Sequence, residues 1–303
     1  MDKVYDVIVI GGGPGGYTAA LYGARAGLSV IVLERLSAGG QMSLTHEIEN
    51  YPGFDEAIDG FELGQRMHRG AVRFGAEVKF SEVQSVQLQP QLKAVHTDSG
   101  SYYGRTVIIS TGAVPRMLGV PGEVELTGRG VHYCASCDGM FYRGKTVVIV
   151  GGGNSAAAEA LILSRVAKRV VLVHRRDNLR AEKALVDALL KADNVELRLN
   201  SVVTEILHEG KVRGLRVVEN GDQSEIQCDG VFISIGRKPA TALVEGQLEL
   251  DEGGYIAAGE NTRTSIPGVF AVGDVRSKEV RQIITAAADG AVAIHEAQAF
   301  FAD

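Results

Sequence analysis

The chain has 303 residues, more than one compact core usually serves, and 45% are hydrophobic, so two α/β domains are the first expectation. A formal charge of −6 excludes the basic footprint of a nucleic-acid-binding protein. The three cysteines are too few for a disulfide-stapled secreted domain, and no stretch approaches the ~20 apolar residues of a membrane span. The amino-terminal residues also lack the basic region and long apolar run of a signal peptide, so the expected setting is the cytoplasm.

Val4 to Ile10 reads as a buried strand. Gly11-Gly12-Gly13-Pro14-Gly15-Gly16 then turns into a helix running to about Ala26. Gly11, Gly13 and Gly16 fit the spacing GxGxxG. The first glycine makes the turn, the second lets a pyrophosphate approach the backbone, and the third lets helix pack on strand. Ser29 to Leu33 is the next strand, and Glu34 stands 23 residues after Gly11, where a carboxylate meets a ribose. Gly39-Gly40-Gln41 and Glu49-Asn50-Tyr51-Pro52-Gly53 are loops with room for close ligand approach. Gly60 to Phe74 is expected to be helical, and Glu77 to about Ile109 to form short strands ending in Ser110-Thr111-Gly112.

After a crossover from Pro115 to Gly130 comes His132-Tyr133-Cys134-Ala135-Ser136-Cys137-Asp138-Gly139. Two cysteines at this spacing can close a small disulfide ring or hold a metal. In the cytoplasm such a pair is more often catalytic or metal-binding than structural. Asp138 follows at once and is placed to move a proton when a thiol is released; it needs partial burial to do so near neutral pH. His132 reads as a loop histidine beside the pair. Cys228, with no partner at useful spacing, reads as a spare buried thiol.

Thr146 to Val150 is a further strand, and Gly151-Gly152-Gly153-Asn154-Ser155-Ala156 starts a second dinucleotide turn, with Gly151, Gly153 and Ala156 at the spacing GxGxxA. The strand that follows ends in His174-Arg175-Arg176, with Arg180 four residues on and no carboxylate in the place of Glu34. Arginine forks suit a phosphate. The first site is therefore expected to take a dinucleotide with a free ribose and the second one with a 2′-phosphate. Arg180 to Ala192 reads as an amphipathic helix, Val195 to Ile235 as strand-rich with a hairpin turn at Glu219-Asn220-Gly221-Asp222, and Val280 to Phe301 as a final apolar helix packed on the first domain. The two halves look like diverged copies of one plan.

Taken together, these residues resemble the low-molecular-weight thioredoxin reductases over essentially the whole chain. The resemblance rests on both glycine turns, Gly39-Gly40-Gln41, Asn50-Tyr51-Pro52-Gly53, Thr111-Gly112 and Cys134-Ala135-Ser136-Cys137-Asp138-Gly139. It also rests on His174-Arg175-Arg176-Asp177 with Arg180-Ala181, on Gly273-Asp274 and on Arg281-Gln282. It implies two Rossmann-like domains of the three-layer ββα type, an FAD domain from residues 1–117 and 240–303 and an inserted NADPH domain from 118–239. On the resemblance, FAD meets Gly11, Gly13, Pro14, Gly16, Glu34, Gly39, Gly40, Gln41, Asn50, Thr111, Gly112, Gly273, Asp274, Arg281, Gln282 and Ile283. NADPH meets Gly151, Gly153, Asn154, Ser155, Ala156, His174, Arg175, Arg176 and Arg180.

The resemblance further implies a homodimer with thioredoxin as protein substrate, Cys137 as the flavin-proximal sulfur and Cys134 as the sulfur that attacks thioredoxin. The inserted domain is expected to rotate about hinges near Met117–Gly119 and Lys238–Thr241. The same layout serves another small dithiol or a peroxiredoxin-type acceptor. A nucleotide-binding regulator with the CxxC as a zinc site needs a second ligand pair, which the sequence lacks. Two departures from the family pattern stand out. Ala288 replaces the glycine usual after Thr-Ala-Ala, where its methyl is expected to tighten packing near the flavin, and Ala240 replaces an asparagine after Pro239.

Overall fold

Two strongly apolar strands seed the structure. In Val4–Ile10, Val7 and Val9 face one side and Ile8 and Ile10 the other, and both faces are buried in separate clusters. Thr146–Gly151 repeats the pattern, with Val148 and Val150 on one face and Val147 and Ile149 on the other. Strands apolar on both faces belong in the middle of a covered parallel sheet. That is where both lie in the computed structural model, which describes residues 3–35, 37–45 and 47–302.

The chain divides into two compact units, Met1–Val114 with Lys238–Asp303, and Pro115–Arg237. In the first, Val4–Ile10 is flanked in parallel by Val30–Glu34 and by the long strand Gly100–Ile109. Glu77–Phe80 extends the sheet beyond Val30–Glu34. Beyond the long strand lie the antiparallel Val83–Leu88 and Lys93–Thr97, together with the short parallel Val269–Ala271. The helices Pro14–Arg25 and Ile283–Ala302 cover one face, where Ala19, Ala20, Ala293, Ile294 and Ala297 share a cluster.

The second unit repeats this scheme. Thr146–Gly151 is flanked in parallel by Arg169–Val173 and Gly230–Ser234, with Val195–Arg198 and Val131–His132 outside them. An antiparallel sheet of Ser201–His208, Val212–Glu219 and Asp222–Gln227 covers one face. Its hairpin turns through Asn220 (φ 52°) and Gly221 (φ 98°), two successive left-handed residues that an Asn-Gly pair adopts readily. Each unit thus carries a parallel sheet, helices on one side and antiparallel strands on the other, the α/β fold class expected from the sequence.

Two helices begin later than their apolar patterns suggest. The stretch expected to be helical from Arg180 starts at Lys183, because the Arg180 N–H is bonded to the Gly152 carbonyl and Glu182 is clamped by Asn154. The last helix starts at Ile283 rather than Val280. Thr285 Oγ1 accepts from the Gln282 N–H and so halts the helix at Gln282.

Inside that last helix Asp289 is a charge in an apolar segment, 7% exposed, and it is fully engaged. Arg276, 2% exposed, donates from Nε and Nη2 to its two oxygens at 2.9 and 2.8 Å. Lys278 Nζ and the Gly273 N–H each reach Oδ2 at 2.8 Å. Burial pushes the Asp289 carboxyl up, but the hydrogen bonds from Arg276, Lys278 and Gly273 outweigh it and hold the group below its ordinary value of 3.8. A depressed carboxyl contributes stability that is complete above its unfolded value and is lost as pH falls through the folded one. Asp289→Ala is expected to cost about 3–5 kcal/mol by stranding buried cations, measured as a shift in denaturant midpoint. Asp289→Asn is expected to flatten the loss of stability below about pH 4; an unchanged acid limb contradicts this assignment.

Candidate functional site

The first glycine turn is closed by backbone alone. A Cβ at Gly16 would lie 2.0 Å from the Gly11 carbonyl oxygen, and one at Gly11 (φ +101°) would lie 2.4 Å from the Ser110 oxygen. Only glycine fits either position. A Cβ at Gly13, by contrast, would meet nothing within 4 Å, so the turn is open on the side of the helix amino terminus. Gly13 caps that helix with no side-chain hydrogen bond, and Pro14 stands in its first turn, where its missing N–H costs nothing. The N–H groups of this end, with no side-chain cap, can hold an anion.

Several of the other predicted residues are tied to the turn or to one another. Glu34 Oε2 accepts from the Gly12 N–H, and the Gly39 N–H donates to the Gly12 carbonyl at 2.9 Å. Gly40 lies against Gly13, and Gly15 against Ala286 and Val272. Asn50 Nδ2 donates to Gln282 Oε1 at 3.2 Å, joining two loops 232 residues apart. Gly273 packs near Ala286, held by Asp289, and so fixes the short turn that carries Asp274. Gln41 is exposed at the rim. Ile283 opens the last helix, while Arg281 stacks its guanidinium 4.1 Å from the Tyr255 ring centroid. Tyr17 was not singled out by sequence. Its hydroxyl is buried beside Glu34 without a hydrogen-bond partner, a polar atom awaiting a ligand in this region.

Both family departures have a structural account. Residue 240 serves through its backbone: Thr111 Oγ1 donates to the Ala240 carbonyl at 2.7 Å, and the Ala240 N–H donates to Gly112 at 2.9 Å. Loss of an asparagine side chain leaves both bonds in place. Ala288 is exposed and lies outside the buried face of the last helix.

The second turn repeats the first. A Cβ at Gly151 would lie 2.3 Å from the Ser234 oxygen and 2.6 Å from the Ala156 Cβ, while Gly153 opens onto free space and caps its helix without a side chain. Ser155 is exposed in the first turn of that helix. Asn154 does not offer its amide outward; it exchanges two 2.8 Å hydrogen bonds with Glu182, which lays the Arg180–Glu182 segment along the turn. Arg175, Arg176 and Arg180 are exposed. His174 is buried, its Nε2 lacks a partner, and its ring fills the space a Gly152 side chain would need. Burial first, then the charges of Arg180, Arg176 and Arg175, push its basicity down. Three cations therefore converge on one small region, and that region can hold a phosphate.

In the same unit Cys134 and Cys137 form a disulfide, with Cys134 capping the one-turn helix Ala135–Asp138. Cys134 Sγ lies 3.3 Å from Ser136 Oγ. Asp138, 16% exposed, lies 3.1 Å from His132 Nδ1 through Oδ2. His132 is not a loop residue: it ends the short strand Val131–His132 and is buried. Another group absent from the sequence reading is Glu159. Burial lifts its carboxyl to about 7 despite Arg237 and hydrogen bonds from Ser234 and the Ala135 N–H, the first residue of the cysteine helix. Cys228 is a free buried thiol pushed up to about 12 by burial and Asp229.

Among the described residues no helix is long and apolar enough to cross a membrane. Residues 5–290 match the family model of the pyridine nucleotide-disulphide oxidoreductases. The chain is 47% identical over 302 residues to a thioredoxin reductase of Listeria monocytogenes, covering 99% of this chain and 94% of that one. It is 44% identical over 302 residues to a thioredoxin reductase of Treponema pallidum, covering 99% and 98%. The crystal structure of the thioredoxin reductase from Streptococcus pyogenes superposes with a TM-score of 0.93 at 44% identity, covering 100% of this chain and 99% of that one. The chain belongs to the pyridine nucleotide-disulphide oxidoreductase family and, within it, to the thioredoxin reductases.

Proposed function

We propose that the protein is an NADPH-dependent thioredoxin-disulfide reductase that holds FAD in its first unit and NADPH in its second. The observation that carries this is a closed Cys134–Cys137 disulfide, followed at once by Asp138, in the same unit as a dinucleotide turn ringed by arginines. When bound, the flavin and nicotinamide supply the hydride and electron chemistry. The chain's own residues bind, orient and move protons.

In the first unit the uncapped helix end beyond Gly13 takes the pyrophosphate of FAD, and Glu34 takes a ribose. The Gly273–Val275 turn, anchored by Asp289, carries Asp274, which would meet the ribitol chain of FAD, and Gln282 stands at the amino end of the last helix, where partial positive charge would favour an anionic ring. In the second unit the helix end beyond Gly153 takes the NADPH pyrophosphate, and Arg175, Arg176 and Arg180 take the 2′-phosphate. Asp138 gives and recovers the proton that accompanies opening of the disulfide. Cys134 attacks the disulfide of the protein substrate and Cys137 resolves the mixed disulfide. Met140 and Phe141, 47% and 37% exposed, give that substrate an apolar patch beside the pair. The family resemblance carries with it a homodimer and a cytoplasmic setting, the compartment where such a pair works as a catalyst.

Three outcomes test this. Cys134→Ser and Cys137→Ser are each expected to abolish NADPH-driven reduction of thioredoxin; retained turnover in either variant contradicts the route. Arg175→Ala with Arg176→Ala removes charged hydrogen bonds of about 1.5–3 kcal/mol each, so the KM for NADPH is expected to rise at least about tenfold while that for NADH barely moves. Equal effects on both nucleotides would place the 2′-phosphate elsewhere. Phe141→Ala is expected to raise the KM for thioredoxin at least about fivefold, the equivalent of about 1 kcal/mol, with kcat for a small disulfide unchanged.

A further inference from the structure

The imidazole of His132 is held on every side. Its strand pairs in parallel with Gly230–Ser234, placing His132 opposite Phe232, and the two rings stack with centroids 5.2 Å apart. The Tyr142 ring meets it edge-on at 5.4 Å. As buried polar atoms require, both nitrogens have a polar neighbour, Nε2 through a hydrogen bond and Nδ1 through a carboxylate within ion-pair reach. Nδ1 lies 3.1 Å from Asp138 Oδ2 and Nε2 lies 2.7 Å from the Tyr142 hydroxyl.

The roles at these contacts follow from Asp138. Burial, with the charges of Asp138, Cys228 and Asp229, pushes the Tyr142 phenol well above the ordinary range, and the protonated hydroxyl can donate to Nε2 or accept from it. An ionised Asp138 can only accept, so the neutral ring that suits both neighbours carries its N–H on Nδ1, on the side of Asp138, and Nε2 accepts from the Tyr142 O–H. In the imidazolium form Nδ1 carries a proton as well, so the donor toward Asp138 is present in either charge state.

We propose that His132 is a positioning residue for the disulfide chemistry: locked by Tyr142, with Nδ1 beside Asp138 Oδ2, it holds the Asp138 carboxyl in place as that carboxyl exchanges its proton with the Cys134–Cys137 pair. The inference rests on the disulfide-reductase reading above. Opening the pair takes up two electrons, supplied by the flavin and nicotinamide chemistry of that reading, and breaks the S–S bond into two thiolates. One proton passes from the Asp138 carboxyl to one sulfur, leaving a thiol, a thiolate and a carboxylate that accepts from Nδ1. The thiolate then attacks the protein disulfide, and the remaining thiol returns its proton to Asp138 as it resolves the mixed disulfide.

Other ionisable groups near this network are Cys228 and Asp229 around Tyr142, and Glu159, which accepts from the Ala135 N–H and titrates near 7. Glu159 would add its own limb to a pH profile, so the test removes it. In full-length holoenzyme carrying Glu159→Gln, kcat with thioredoxin is measured against pH for the otherwise unchanged chain, His132→Leu and His132→Asn. A hydrogen-bond donor favours an ionised carboxylate, so its loss moves the limb to higher pH. His132→Leu is expected to shift it by about one pH unit and to lower kcat about tenfold. Asn offers an N–H where Nδ1 stood and is expected to restore both to within about twofold.

Nitrogen NMR of the histidine-labelled, oxidised enzyme supplies a readout apart from turnover and a second variant. The His132 Nδ1–H tautomer is expected in the wild type, and a mixture of tautomers in Asp138→Ala. A pH limb unmoved in His132→Leu, equal losses in the Leu and Asn variants, or an Nε2–H tautomer in the wild type would overturn the proposal. A wild-type enzyme that reduces no protein disulfide with NADPH overturns the functional reading instead, and the tautomer measurement still decides the geometry around His132.

Discussion

The two sites depend on a contact with no side chain in it. At the end of the first strand the chain must reverse and begin a helix within a few residues, so that unpaired N–H groups point outward over the strand tips. The space for that reversal is taken up by the Gly11 carbonyl, 2.0 Å from where any Cβ at residue 16 would stand, and by the Ser234 carbonyl, 2.3 Å from a Cβ at Gly151. Every larger residue would push helix off sheet and turn the amino-terminal N–H groups away from a shared phosphate position. The open backbone at Gly13 and Gly153 is the other half of the same constraint.

Around this common frame, charge separates the two sites. Glu34 closes on the Gly12 N–H in the first. In the second, the matching strand end carries Arg175 and Arg176, and the Asn154–Glu182 clamp brings Arg180 back over the turn. An anion with a free ribose suits the first arrangement and one with an additional phosphate suits the second. Each preference arises from one or two residues at the end of an otherwise interchangeable strand. On the proposed function, two copies of one plan would hold different dinucleotides without different folds.

The parts of this structure legible in the sequence are those set by local chemistry. The glycine spacings, the Asn220-Gly221 hairpin and the doubly buried strands all follow from which backbone conformations and faces those residues permit. The start of the helix at Lys183 was misplaced because partners distant in sequence intervened: Gly152 and Asn154 hold the chain extended up to Glu182. Asp289 had a visible signal, a lone carboxylate in an apolar helix, but its partners Arg276 and Lys278 lie in a loop whose fold no periodicity announces. His132 had no signal at all, because its meaning comes from Phe232, a hundred residues away across a sheet, and from Tyr142. At Ala240 the backbone alone makes the two bonds to Thr111 and Gly112, so they do not depend on which side chain the sequence shows there.

The redox centre joins these strands of the account. A disulfide at the start of a one-turn helix is chemically idle unless electrons arrive from one side and a protein disulfide from the other. The most direct measurement is anaerobic titration of the purified protein followed by its visible absorption. NADPH is expected to bleach a bound flavin band, NADH to do so far less, and oxidised thioredoxin to restore the band in stoichiometric amount. A colourless protein that binds no FAD, or a flavin band that thioredoxin leaves bleached, would contradict the account.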